Sequence, residues 1–412
     1  MDKIIIRGNN PLKGKVQIRG AKNAVLPLMA ASILAEEPCV LHNVPCLHDV
    51  FTMDKLLSQM GLQIEFTGRF MTIVTPNRIS PTAPYDLVRK MRASFFVLGP
   101  LLARCGKARV SLPGGCAIGT RPVDIHLKGL EQLGAKIRLE EGYVVAEGRL
   151  KGTDIYLDFP SVGATENLIM AAVRAKGITR LFNPAQEPEI VDLANFLNKM
   201  GAEIEGAGTE VIKIKGIKSL GGTEHNVIPD RIEAGTFLIA GLATFGDVQV
   251  DSVIPEYLST FISKLNELGA DVQIGSSYIR VKSPQKPLKA INITTLPYPG
   301  FPTDLQAQMM ALLTCAEGTS VIKETVFENR FLHVAELIRM GADITLEGNT
   351  AIIRGTEKLI GAPVMASDLR ASAALVIAGL MAKEGETIIS RVYHLDRGYE
   401  RIEERLASLG AD

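Results

Sequence analysis

The stretch LIRMGADITLE, residues 337–347, carries an amphipathic helix end into the start of a strand, and the chain repeats that phrase five more times. The other copies are LLSQMGLQIE (56–65), LEQLGAKIRLE (130–140), FLNKMGAEIEG (196–206), LNELGADVQIG (265–275) and LASLGAD (406–412). Gly61, Gly134, Gly201, Gly269, Gly341 and Gly410 each stand where a helix must stop, a place that favours left-handed backbone. The residues after each Gly alternate apolar and polar side chains, as a half-buried strand does. The copies recur about every 70 residues, which is too long for the common short solenoid repeats.

Upstream of each phrase lies an almost uncharged run rich in Ala: AVLPLMAASILA (24–35), RASFFVLGPLLA (92–103), GATENLIMAAVRA (163–175), EAGTFLIAGLATF (233–245), LQAQMMALLTCA (305–316) and RASAALVIAGLMA (370–382). A helix that is apolar all round is buried all round. The spacing predicts an α/β fold of six βαβαββ-type units with buried helices inside and sheets outside, three units to each of two domains. The expected boundaries put residues 20–229 in one domain and residues 1–19 with 230–412 in the other, the active site in the cleft between them. The last copy reaches only Gly410-Ala411-Asp412, and Lys3–Arg7 forms an extra strand, so the N-terminal strand is expected to complete the last domain.

The chain has 412 residues, 46% of them hydrophobic, with 45 Lys+Arg against 45 Asp+Glu. Zero net charge argues against a nucleic-acid binder and against adhesion to an anionic membrane. The longest apolar stretches, Asn23–Ala35 and Ala371–Ala382, fall short of the roughly 20 residues of a membrane span. Five scattered Cys and no signal peptide indicate a cytoplasmic protein with reduced thiols. The six His show no metal-ligand spacing, and neither GxGxxG nor GxxxxGK[ST] opens a helix, so no metal and no cofactor is expected.

The buried helices begin with cations: Lys22-Asn23, Arg92, Asp230-Arg231 and Asp368-Leu369-Arg370. A cation there opposes the helix dipole by about 0.3–1 kcal/mol. One such residue reads as a solvated loop end; four at equivalent points read as an anion site. Arg121 and Arg397 stand at the same offset before Gly134 and Gly410, which suits recognition of a small dianion. Copy two also holds a longer loop, SLPGGCAIGTRPVD (111–124), with Cys116 at its middle. Extra Gly-rich length in one copy suggests a binding loop or lid. A thiol near Arg121 and Lys22 has its thiolate favoured, although a small residue filling a turn fits the same spacing. Asp304, in GFPTDLQAQ, fits both a helix cap and a base for an incoming hydroxyl.

These motifs, together with SVGAT (161–165), ETVFENRFLHVAEL (324–337), MASDLRASAALV (365–376) and YHLDRGYERIEERL (393–406), resemble the UDP-N-acetylglucosamine enolpyruvyl transferase family over essentially the whole chain. The resemblance implies two inside-out α/β barrels. It implies transfer of enolpyruvate from phosphoenolpyruvate to the 3′-hydroxyl of UDP-N-acetylglucosamine, releasing phosphate, at the first committed step of peptidoglycan synthesis. Lys22, Asn23, Arg121 and Arg397 then grip phosphoenolpyruvate, and Cys116 is the proton donor and the site of a pyruvate adduct. Arg92, Arg121, Pro122, Val123, Asp124, Ile125, Ser161, Val162, Gly163, Asp304 and Val326 match nucleotide-sugar contacts. Asp304 also matches the base, with Arg330, Asp368 and Arg370 in support. The rival reading is the shikimate-pathway enolpyruvyl transferase, which lacks the LPGGC loop; a non-catalytic repeat protein gives no reason for that loop.

Overall fold

Six largely apolar helices organise the chain. Lys22–Ala31, Leu98–Cys105, Val162–Ala172, Arg231–Ala243, Gln306–Leu313 and Leu369–Met381 are buried along most of their length, as their composition demands. Two begin as tighter turns, Arg92–Val97 and Thr303–Leu305. The computed structural model of the chain describes residues 3–113, 123–284 and 286–412 and divides into two compact units. The first runs from Gly20 to Ile228, and the second joins the segment up to Arg19 to Pro229–Asp412. Each has its own hydrophobic core.

One repeat shows the plan. Asn292–Thr294 lies parallel to Thr319–Lys323, which pairs antiparallel with Thr350–Arg354, which pairs antiparallel with Asp343–Glu347. The inner helix Gln306–Leu313 connects the first two strands, and Val334–Arg339 leads into the hairpin. The repeat Gly residues all adopt positive φ, from 90° at Gly269 to 105° at Gly61, which only Gly takes without strain. The strands bury alternate residues, for example exposed-buried-exposed over Glu203–Glu205. The outward positions carry cross-strand ion pairs such as Lys215–Glu203 at 2.8 Å and Arg280–Asp247 at 2.7 Å. A sheet with helices on one face and water on the other requires that alternation. Each unit is thus an inside-out α/β barrel, helices within and sheets without.

Distant segments close each unit. Thr223–Asn226 pairs parallel with Cys39–His42 and supplies the first strand of copy one. Lys13–Gln17 does the same for Asp247–Asp251 in the second unit. Lys3–Arg7 pairs antiparallel with Glu386–Ser390 and gives copy six the strand it lacks. Among the described residues no helix is long and apolar enough to cross a membrane.

Candidate active site

In the second unit the candidate residues collect around the starts of the inner helices. Asp230 and Asp368 are helix caps: Asp230 Oδ1 accepts from the backbone N–H of Ile232 and Glu233 at 2.8 and 2.9 Å, and Asp368 Oδ1 from those of Arg370 and Ala371 at 2.9 and 3.0 Å. Asp304 caps nothing. Arg330 Nη2 donates to its Oδ1 at 2.7 Å and Arg370 Nη2 to its Oδ2 at 2.8 Å. Both arginine side chains are 5% exposed, whereas that of Asp304 is 25% exposed. Burial pushes the Asp304 carboxyl up, but Arg370 and Arg330 outweigh it and hold the group well below the usual carboxylate range. Asp304 is therefore a fixed anion whose remaining lone pairs are open to a hydroxyl.

Val326 is placed by Glu324, a buried carboxylate the sequence did not single out. Its Oε1 accepts from Thr295 Oγ1 at 2.8 Å and from the backbone N–H of Val326 and Phe327 at 2.8 and 3.1 Å. Its Oε2 accepts from Thr303 Oγ1 at 2.8 Å, so one side chain fixes both the Val326 loop and the residue before Asp304. Asp368 and Arg397 share a neighbourhood through His394, whose pKa is lowered by burial and by Arg397 and raised by Asp368. Burial pushes His333 down to about 4, with Asp368 opposing and Arg330 assisting. Gly398 sets this turn onto the helix start, since a Cβ there would lie 2.6 Å from a Leu369 methyl.

In the first unit Lys22 and Asn23 open the helix Lys22–Ala31. Lys22 Nζ lies 3.0 Å from Asp49 Oδ2, a second carboxylate missed in the sequence. The turn Arg92–Val97 packs against both Lys22–Ala31 and Val162–Ala172, so Arg92 and Ser161–Gly163 belong to one group of helix starts. Ser161 caps its helix, accepting from Ala164 N at 3.4 Å. Val123, Asp124 and Ile125 lead into Asp124–Gln132, and His126 follows. His126 is buried, and burial with the nearby Arg92 lowers its pKa to about 3, so it is neutral. Asn167 Nδ2 donates to His126 Nδ1 at 3.0 Å, which leaves the proton on Nε2. A Cβ on Gly163 would lie 3.3 Å from His126 and 3.2 Å from Phe96.

Cys116, Arg121 and Pro122 lie outside the described residues. Burial raises the thiols of Cys39 and Cys315, in keeping with inert positions. Among the described residues no group of three or more His, Cys, Asp or Glu could hold a metal ion.

Comparison with known proteins supplies the family. Residues 6–406 match the family model described as EPSP synthase (3-phosphoshikimate 1-carboxyvinyltransferase). The UDP-N-acetylglucosamine 1-carboxyvinyltransferase of Magnetococcus marinus is 59% identical over 414 residues, covering 100% of this chain and 99% of the relative. UDP-N-acetylglucosamine 1-carboxyvinyltransferase 2 of Carboxydothermus hydrogenoformans is 58% identical, covering 100% of this chain and 98% of the relative. Among solved structures, the enolpyruvyl transferase NikO from Streptomyces tendae superposes with a TM-score of 0.91 at 27% identity, covering 100% of this chain and 98% of that one. EPSP synthase from Acinetobacter baumannii shares the fold, with a TM-score of 0.74 at 22% identity, covering 99% of this chain and 98% of that one. A repeat fold shared with these enolpyruvyl transferases, and near 60% identity to one branch of them, make this chain a member of the UDP-N-acetylglucosamine 1-carboxyvinyltransferase family.

Proposed function

We propose that the chain transfers the enolpyruvyl group of phosphoenolpyruvate to the 3′-hydroxyl of UDP-N-acetylglucosamine and releases phosphate, the first committed step of peptidoglycan synthesis. The observation that carries the reading is the Asp304 carboxylate, ionised and held by Arg330 and Arg370, in a chain 59% identical to an enzyme of that name.

Enol phosphates react with a nucleophile at C2 once C3 is protonated. Cys116 donates that proton, and the positive charge that develops at C2 is attacked by the 3′-oxygen. Asp304 accepts the hydroxyl proton as the C–O bond forms. Its low pKa makes it a weak base toward a free alcohol, so proton transfer is coupled to attack, when the hydroxyl becomes acidic. The tetrahedral adduct then loses the C3 proton and phosphate, and the double bond returns. Lys22, Asn23, Arg121 and Arg397 serve the carboxylate and phosphate of phosphoenolpyruvate. Arg92, residues 121–125, Ser161–Gly163 and Val326 serve the nucleotide sugar. A cytoplasmic location belongs to the same reading.

Phosphate release from phosphoenolpyruvate is the test, with UDP-N-acetylglucosamine or shikimate 3-phosphate as acceptor. Release with the nucleotide sugar alone supports the proposal. Release with shikimate 3-phosphate alone sinks it in favour of the EPSP synthase reaction.

A further inference from the structure

We propose that Tyr399 is a positioning residue of this reaction: its phenol keeps Arg370 bound to Asp304 by one hydrogen bond rather than two. The proposal rests on Asp304 receiving the acceptor's proton.

Tyr399 is 1% exposed, between the inner helices Arg231–Ala243, Gln306–Leu313 and Leu369–Met381. Its hydroxyl meets Thr236 Oγ1 at 2.9 Å, Arg370 Nη1 at 3.1 Å and Gln308 Nε2 at 3.2 Å. Donor accounting fixes the directions. Thr236 spends its single proton on the Ile232 carbonyl at 2.8 Å, so the Tyr399 O–H donates to Thr236. The two phenol lone pairs are then left for Arg370 and Gln308. Gln308 Nε2 also donates to the Asp304 carbonyl at 2.9 Å. Its other proton is shared between the phenol and Thr236 Oγ1, 3.2 Å from each, so the phenol acts on the Asp304 side chain through Arg370 and only in part on its backbone.

A buried Arg and a carboxylate ordinarily pair fork to fork, with two parallel bonds. Here Arg370 gives Asp304 only Nη2, because Nη1 is held by Tyr399. A carboxylate has about four acceptor sites. Arg330 and Arg370 fill one each, on different oxygens, which leaves a lone pair on either oxygen for the substrate hydroxyl. Without the phenol, Nη1 is released to turn toward the carboxylate that Nη2 already holds, Asp304. A second bond would occupy another lone pair and weaken the base. The charged groups acting here are Arg330 and Arg370 on Asp304, and Asp230 on both Arg370 and Tyr399.

The test uses the full chain. Tyr399→Phe keeps the ring and removes the oxygen; Thr236→Val removes the acceptor of the phenol proton, and Thr236→Ser keeps it. Turnover is measured as phosphate release per enzyme molecule that binds UDP-N-acetylglucosamine, counted by calorimetric titration, so a misfolded fraction does not enter. For Tyr399→Phe and Thr236→Val we expect kcat to fall roughly tenfold, a part of the full general-base contribution. KM for both substrates should stay within about twofold, because only a transition-state interaction is lost. Thr236→Ser should turn over as wild type. Unchanged kcat in Tyr399→Phe, or equal losses in Thr236→Ser and Thr236→Val, overturns the proposal. If Tyr399→Phe fails to fold, the Thr236 pair decides. Asp304→Asn run alongside separates the two levels. An active Asp304→Asn enzyme removes Asp304 from the chemistry, whereas an inactive one beside a fully active Tyr399→Phe enzyme removes only the positioning role.

Discussion

Replacing Asp304 with Ala should cost both turnover and local stability, and the structure gives the size of the second effect. The substitution leaves two guanidinium groups, each 5% exposed, without the carboxylate they share. Removing one partner of a buried ion pair costs about 3–5 kcal/mol. Arg370 keeps Tyr399, but Nε and Nη1 of Arg330 are already without a partner, so Arg330 loses its carboxylate bond and gains nothing. Asp304 itself is 25% exposed, so water can enter the vacated space, and the lower end, about 3 kcal/mol, is expected. The folded-state carboxyl lies below its ordinary value. Its contribution is therefore complete above the unfolded pKa of about 3.9 and is lost as pH falls through the folded value. The difference between wild type and variant should be flat from about pH 5 to 8 and shrink below about pH 4. A chain of two units need not unfold in one step. The assay is hydrogen exchange at the amides of Leu369–Met381, which reads local opening. Protection equal to wild type at pH 7 would refute the claim that this pair holds the helix starts together.

Lys22→Ala and Arg397→Ala should each raise KM for phosphoenolpyruvate far more than KM for UDP-N-acetylglucosamine, by the roughly 2–5 kcal/mol of a lost buried charge partner; steady-state kinetics on both substrates check it. Cys116→Ser should escape alkylation by the epoxide fosfomycin, while Cys116→Asp should escape it and keep some turnover, because a carboxylic acid can still donate a proton; intact-protein mass and phosphate release read the two outcomes. Gly99→Ala should destabilise the first unit by about 1–3 kcal/mol in denaturant, since its Cβ would sit 2.3 Å from the Asn167 carbonyl oxygen, where no flexible atom can yield.

The repeats were legible because their signals are local. A helix-stopping Gly before an alternating strand, and an Ala-rich run without charge, each declare their structure within a dozen residues or so. The inside-out arrangement is their consequence, since such a helix has no face to offer water. The strand Thr223–Asn226 was not legible: its sequence, TEHN, has no strand pattern, and its partner Cys39–His42 is far away in the chain. The same limit applies at the site. Asp304 stood equally well as a cap or a base by spacing; the arginines that hold its carboxylate lie 26 and 66 residues further on. Asp49, Glu324, His126 and Tyr399 gave no signal, because a carboxylate, imidazole or phenol becomes informative only through partners that the fold supplies. Lys22, Arg92 and Arg370 stood out in the sequence because a cation at the start of a buried helix is unfavourable locally and so calls for a reason.

The most direct test of the central claim is the mass spectrum of the nucleotide sugar after incubation of the purified chain with phosphoenolpyruvate and UDP-N-acetylglucosamine. The account predicts complete conversion to the enolpyruvyl ether at the 3′-oxygen, one phosphate released for each ether formed, and no conversion with Asp304→Ala. Unchanged UDP-N-acetylglucosamine in the presence of folded wild-type chain, or conversion that survives Asp304→Ala, would contradict it.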